Sequence, residues 1–115
     1  MSATKYPVPI MASSALDDGH CQEFQHGEQS GLLIRCQSQV YAYLNRCAHQ
    51  PKALTDTGNA LDTDGQLIVC QQHQAIFTPT NGQCITGPCI GSQLTSIPIV
   101  EQDEQILLLG WPRQV

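Results

Sequence analysis

Short apolar runs separated by turn-forming residues dominate the hydrophobic pattern of this chain. Residues 32–36 and 40–44 are rich in strand-forming side chains and flank the polar stretch 37–39, so they predict a β-hairpin. Looser alternation over residues 21–26 predicts a strand ahead of it, and a turn is predicted over residues 27–31. The first half of the chain is therefore expected to form antiparallel strands.

Three further hairpins are predicted in the second half, because each pairs two strand-like runs across turn-forming residues. They pair residues 61–62 with 66–69, residues 76–77 with 83–85, and residues 94–100 with 105–109. The proline-containing residues 1–12 predict an extended lead-in that ends in a short edge strand. No stretch shows sustained helical periodicity with caps, so the predicted fold class is all-β.

Length and charge narrow the function. With 115 residues, the chain is expected to form one domain. A formal net charge of -5 argues against a nucleic-acid partner, because phosphate binding requires a basic surface, and it favours a partner with a basic docking patch. No apolar stretch has the length of a signal peptide or a membrane span, so a cytoplasmic location without membrane attachment is predicted.

Two short runs carry the candidate chemistry, and each places one thiol near one imidazole. The first run holds Cys47 and His49, and the second holds Cys70 and His73. A zinc finger usually groups Cys with Cys and His with His, whereas a Rieske 2Fe-2S centre has two cysteines on one iron and two histidines on the other. The mixed pairs therefore favour an iron–sulfur site, and a non-redox zinc-binding adaptor is the alternative.

These runs and the residues after them resemble Rieske ferredoxins. Residues 73–77, 80–84 and 86–89 are similar to the family's second ligand loop and its exit turn. The chain departs from the family pattern at Ala48, where a proline is usual, and at Gln74, where a glycine is usual.

The resemblance implies a ligand set and a layout. Cys47 and Cys70 would bind the inner iron of one 2Fe-2S cluster, and His49 and His73 the outer iron. The single Rieske domain over residues 1–115 would comprise an antiparallel sandwich-like base, about residues 13–45 and 87–110, and a small inserted cluster-binding subdomain, about residues 46–86.

Four more positions are implied to border the cluster: Gln74, Ala75, Phe77 and Pro88. Respiratory members of the family place Ser and Tyr hydroxyls at the positions of Ala75 and Phe77, and a disulfide at the positions of Lys52 and Gln72. Hydrogen bonds to the cluster sulfurs stabilise its reduced state, so their absence lowers the reduction potential. The chain therefore resembles the soluble, low-potential type of ferredoxin.

The implied function is one-electron transfer from a flavin-containing reductase to a terminal oxygenase or similar acceptor, and not catalysis. Rieske oxygenases carry a second domain with a mononuclear iron bound by two histidines and a carboxylate. Once His49 and His73 are assigned, only His20 and His26 remain, and the chain has no room for that domain. A small Rieske subunit of a larger reductase, such as nitrite reductase, is the alternative within electron transfer.

Four cysteines lie outside the ligand set. Cys84 and Cys89 flank the Gly87-Pro88 turn, so they could form a disulfide or ligate metal, but packing is favoured because unpaired cysteine is among the most buried residue types. Cys21 and Cys36 lie in predicted strands and receive the same interpretation.

Overall fold

The computed structural model describes residues 6–46, 54–55, 59–62, 65–70, 75–87 and 90–112. Within these ranges its regular elements are β-strands and one short 3-10 turn at Ser13–Ala15. The strands are β1 (Val8–Ala12), β2 (Cys21–His26), β3 (Gln29–Cys36), β4 (Gln39–Leu44), β5 (Ile68–Val69), β6 (Ile76–Phe77), β7 (Cys84–Thr86), β8 (Ile99–Gln102) and β9 (Gln105–Leu108). The predicted all-β class is confirmed. None of the described residues forms a helix with the length and apolar character needed to cross a membrane.

The strands form three antiparallel sheets of three strands each. The terminal sheet has the order β1-β9-β8, the middle sheet β2-β3-β4 and the small sheet β5-β6-β7. Among the described strands β1 pairs only with β9, so it is an edge strand, as predicted from the sequence of residues 1–12. The hairpins pair in chain order, which is the outcome expected from short turns between strand-like runs.

The centre of strand β3 is buried on both faces of the middle sheet. Leu32, Leu33 and Ile34 are consecutive in β3, and all three are completely buried. Because successive side chains of a strand point to opposite faces, Leu32 and Ile34 join the core shared with the small sheet, and Leu33 joins the core shared with the terminal sheet. The continuous apolar run of β3 is therefore explained by two cores that meet at one strand.

Two hairpin turns have the same backbone geometry. Gln37 and Ser38 join β3 to β4 with φ of 53° and 68°, and Asp103 and Glu104 join β8 to β9 with φ of 53° and 65°. Consecutive positive φ values are typical of the tight turns whose twist matches the flanking strands. The β2–β3 turn is shorter than predicted, because β3 already begins at Gln29, opposite His26.

The strand predicted over residues 94–100 is shorter in the structure, where β8 begins at Ile99. The residues before it run beside β4 instead, since Leu44 N–H donates to the Thr95 carbonyl at 2.9 Å and Ile97 N–H donates to the Ala42 carbonyl at 2.8 Å. Pro98 has no N–H to continue this pairing, and the chain then joins the terminal sheet. This segment connects the middle and terminal sheets.

Candidate metal centre

The second ligand run is closed at its base by main-chain pairing. Cys70 follows β5, and its N–H donates to the Ala75 carbonyl at 2.8 Å, directly beyond the Val69–Ile76 pair of the β5–β6 ladder. This hydrogen bond holds together the two ends of residues 71–74, which include His73. The hairpin therefore brings the start and the end of the second run into register.

The surroundings of Cys70 fit an iron–sulfur ligand. Its side chain is completely buried in the core between the middle and small sheets, together with Ala75 and Phe77. An apolar shell excludes water and lowers the local dielectric constant, and these two properties tune the potential of a cluster. The donor set of two thiols and two imidazoles, with one thiol buried among apolar side chains, is the chemistry that a 2Fe-2S centre of the mixed type requires.

Gly87 packs directly against the second run. It has a φ of +108°, and a Cβ at this position would lie 2.9 Å from the Ala75 Cα and 3.2 Å from the Ala75 Cβ. Glycine therefore serves both the backbone conformation and the close approach. The exit turn that follows β7 supports the base of the second run through this contact.

The first ligand run is closed by a side chain. Asn45 follows β4, and its Oδ1 accepts hydrogen bonds from the N–H groups of Leu54 (3.0 Å) and Thr55 (3.2 Å). Its Nδ2 donates to the Thr55 carbonyl at 3.2 Å and to Glu23 Oε2 at 3.2 Å. In the chain, residues 47–53 thus lie between Asn45 and the two residues that it binds. Sequence reasoning missed Asn45, although an Asn two residues before a ligand cysteine is a signal, because Asn side chains readily bind nearby backbone groups.

The structure brings together three of the eight positions predicted for the site, namely Cys70, Ala75 and Phe77. The other five lie outside the described residues: Cys47, His49, His73, Gln74 and Pro88. The four-ligand set therefore remains a prediction.

Two of the cysteines assigned to packing, Cys84 and Cys21, agree with that assignment, whereas Cys36 is only partly buried. Cys84 is buried in the same core as Cys70, and its Sγ donates to the Thr86 carbonyl at 3.4 Å. Burial raises the pKa of the Cys21 thiol, with a smaller opposing effect from a hydrogen bond to the Ala60 backbone, so this thiol is less reactive than an exposed one. Cys89 lies outside the described residues.

The two remaining histidines make contacts away from the site. His20 Nδ1 lies 3.1 Å from the Asp18 carbonyl. His26 stacks on Trp111 with ring centroids 4.5 Å apart, and its Nε2 lies 3.3 Å from the Tyr6 hydroxyl. Both side chains therefore have structural partners in the base of the fold.

Comparison with known families agrees with the predicted fold and family. The sequence profile of the Rieske [2Fe-2S] domain matches residues 6–101, and the chain belongs to this family. Electron transfer through a 2Fe-2S cluster is the chemistry of such a domain. A relative with 31% identity over 101 residues is the ferredoxin component of the alkene monooxygenase system of Xanthobacter autotrophicus. The alignment covers 88% of this chain and 79% of that relative.

Solved structures share the fold at lower identity. The ferredoxin of carbazole 1,9a-dioxygenase from Nocardioides aromaticivorans superposes with a TM-score of 0.73 at 24% identity, over 91% of this chain and 98% of that one. A chain of the complex of reduced oxygenase and oxidised ferredoxin in carbazole 1,9a-dioxygenase superposes with a TM-score of 0.76 at 20% identity, over 94% of this chain and 96% of that one. These likenesses establish the antiparallel Rieske-type fold.

Proposed function

We propose that the chain is a ferredoxin that carries single electrons from a flavin-containing reductase to a terminal oxygenase or a similar acceptor. The observation that carries this proposal is the extent of the matches. The chain aligns with 79% of a ferredoxin component and superposes on 98% of a dioxygenase ferredoxin, but on only 30% of a terminal oxygenase. The likeness is thus to a whole carrier protein. No observation favours the small-subunit or zinc-adaptor alternatives.

The proposed ligands are Cys47 and Cys70 on the inner iron and His49 and His73 on the outer iron of one 2Fe-2S cluster. The cluster supplies reversible one-electron exchange when it is bound. Two observations support this assignment: both ligand runs are closed at their bases by hydrogen bonds of described residues, and Cys70 is completely buried. Each run then contributes one thiolate and one imidazole.

The proposed division of the chain follows from the same assignment. The base comprises about residues 13–45 and 87–110, and the cluster-binding subdomain comprises about residues 46–86. The small sheet lies within the second unit, and the middle sheet and strands β8 and β9 lie within the first. Strand β1 precedes residue 13 but pairs with β9, so it extends the base. A cytoplasmic location is also proposed, because a reducing compartment preserves thiols such as Cys36, which is free at the end of β3.

The distribution of charge along the chain supports a proposal for the docking site of a partner. Residues 65–100 include no Asp, Glu, Lys or Arg, although the chain has 15 such residues, 10 acidic and 5 basic. Two exposed isoleucines belong to this segment: Ile85 on β7, 47% exposed, and Ile90 in the turn beyond Gly87, 69% exposed. Since Gly87 packs on the base of the second run, we place the docking surface for the electron acceptor at these two side chains, which we call the neutral face.

Analysis of the purified protein tests the proposed function. We expect iron and acid-labile sulfide in equal amounts, and nitrogen hyperfine coupling from two imidazoles in the electron paramagnetic resonance spectrum of the reduced protein. The protein should accept electrons from a flavin-containing reductase and deliver them to a terminal oxygenase. Zinc without acid-labile sulfide would contradict the proposal.

A further inference from the structure

We infer that Asn45 is the positioning residue of the first ligand run and controls how firmly the protein retains its cluster. The inference rests on the proposed function, because it assumes that Cys47 and His49 bind the cluster. Among the described residues, a main-chain pair joins the two sides of the second run, where Cys70 N–H donates to the Ala75 carbonyl. The described residues on either side of the first run are joined by the side chain of Asn45.

The amide of Asn45 binds main-chain groups of two residues that lie nine and ten positions further along the chain. Oδ1 accepts from both Leu54 N–H and Thr55 N–H, and Nδ2 donates to the Thr55 carbonyl. Thr55 is therefore held through both of its main-chain polar groups. A side chain needs an acceptor and a donor on one planar group to make these contacts, which is what an amide provides.

The residues on both sides of this contact are held by further interactions of their own. Leu54 is completely buried and Thr55 is 2% exposed, and the Thr55 hydroxyl donates to the Asn59 carbonyl at 3.2 Å. On the other side, Asn45 N–H donates to the Ser30 carbonyl of β3 at 3.0 Å. The amide therefore connects the middle sheet to the buried residues Leu54 and Thr55, which follow the first run in the chain.

Glu23 sets the orientation of the amide. Its Oε2 accepts from Asn45 Nδ2 at 3.2 Å, and it lies on β2, the strand next to β3. A carboxylate is a stronger acceptor than a neutral oxygen, so Nδ2 faces Glu23 and Oδ1 faces the two N–H groups. An aspartate at position 45 would keep the acceptor, lose the donor and place a second carboxylate beside Glu23.

The experiment measures cluster loss in excess iron chelator, followed by the visible absorption of the folded holoprotein. The variants are Asn45→Ala and Asn45→Asp, and the control is Asp18→Ala. Asp18 also binds a distant backbone group, since its Oδ1 accepts from Ser38 N–H at 2.9 Å, but it lies in the base of the fold. We expect both Asn45 variants to lose the cluster at least about tenfold faster than the wild type, the lower end of effects for residues that orient ligands. The control should match the wild type.

A compensating variant separates positioning from general destabilisation. In Asn45→Asp combined with Glu23→Gln, the glutamine amide can donate to the new carboxylate, so the tie to β2 returns with its direction reversed. We expect slower cluster loss than in Asn45→Asp alone, and an electron paramagnetic resonance line shape closer to that of the wild type. Wild-type loss rates and line shapes in both single variants would overturn the inference. A wild-type protein that binds no cluster would instead overturn the proposed function.

Discussion

Gly87 and Ala75 are in such close contact that the space for a methyl group on Gly87 is already taken, because its Cβ would come within 2.9 Å of the Ala75 Cα. Ala75 is completely buried, and its carbonyl accepts the hydrogen bond from Cys70 N–H that closes the second ligand run. The backbone of the exit turn thus packs against the backbone at the base of the second run. A substitution at Gly87 or Ala75 is therefore expected to shift the position of the other residue.

Gly87→Ala should destabilise the protein more than Gly91→Ala. Both glycines have positive φ, +108° and +97°, so both substitutions strain the backbone, but only Gly87 faces atoms within 4 Å of its added Cβ. Strain alone costs on the order of 1–3 kcal/mol, and the clash with Ala75 adds to it. Denaturant unfolding of the two variants measures the difference. Equal losses of unfolding free energy in the two variants would mean that the contact with Ala75 adjusts to the methyl group without loss of stability.

Hydroxyl groups introduced beside Cys70 should raise the reduction potential. Ala75 and Phe77 are completely buried in the core that contains Cys70, and neither side chain can donate a hydrogen bond. The wild-type potential is expected near the low end of the Rieske range of about -150 to +300 mV. A well-aligned hydrogen bond to a charged group contributes about 1.5–3 kcal/mol, which corresponds to about 60–130 mV for each of Ala75→Ser and Phe77→Tyr.

Voltammetry of the wild type and the double variant checks this prediction. Ala42→Ser is the control, because Ala42 is buried in the other core and its hydroxyl would be remote from Cys70. A wild-type potential above about +100 mV, or a double variant whose potential does not rise, would show that the missing hydroxyls do not set the potential.

The ion pair of Arg35 and Glu101 should make the base of the fold sensitive to acid. Arg35 Nη2 lies 2.6 Å from Glu101 Oε2, and the hydrogen bond from Arg35 lowers the pKa of Glu101 below its usual value of 4.5. Because the folded-state pKa is lowered, the pair stabilises the protein above the unfolded-state pKa of Glu101. This contribution is lost as pH falls through the folded-state value.

Glu101→Gln should therefore lower the free energy of unfolding at neutral pH by up to about 1 kcal/mol and reduce its loss on acidification. The control is Glu104→Gln, which replaces an exposed carboxylate on the turn that follows β8. Denaturant unfolding between neutral and acidic pH compares the three proteins. If the free energy of unfolding of Glu101→Gln fell with pH in parallel with that of the wild type, the ion pair would not contribute to the acid sensitivity.

Ile90→Gln should weaken binding to the electron acceptor without changing stability or potential. The side chain is 69% exposed, so the substitution removes little packing from the folded protein, but it removes apolar contact from the proposed neutral face. Loss of up to about 1.4 kcal/mol would lower affinity by as much as about tenfold. Leu109→Gln is the control, because Leu109 is also exposed but follows β9 in the terminal sheet.

Salt provides a second test of the neutral face. Net charge alone predicts steering by a basic partner, but docking through residues without formal charge should give electron-transfer rates that change little with ionic strength. A steep fall of the rate with added salt, together with an unchanged affinity in Ile90→Gln, would place the docking surface elsewhere.

Local patterns were sufficient to predict the β3–β4 hairpin and to identify two donor pairs as candidate ligands. The β3–β4 hairpin depends on neighbouring residues, because strand-forming side chains flank a two-residue turn at Gln37 and Ser38. The two thiol–imidazole pairs are equally local, since the donors of each pair are two or three residues apart in the chain. Such spacing can be read from the sequence without knowing the fold, and here it indicates a Rieske-type site.

Only the tertiary structure decided which distant residues support the ligand runs. Asn45 reaches Leu54 and Thr55 across a whole ligand run, and Gly87 meets Ala75 because the small sheet brings β6 and β7 together. The same holds for residues 95–97, whose pattern predicts a strand paired with β9 but whose main-chain hydrogen bonds are to β4. Sequence alternation shows which side chains avoid water, but the choice of partner depends on packing between segments that are far apart in the chain.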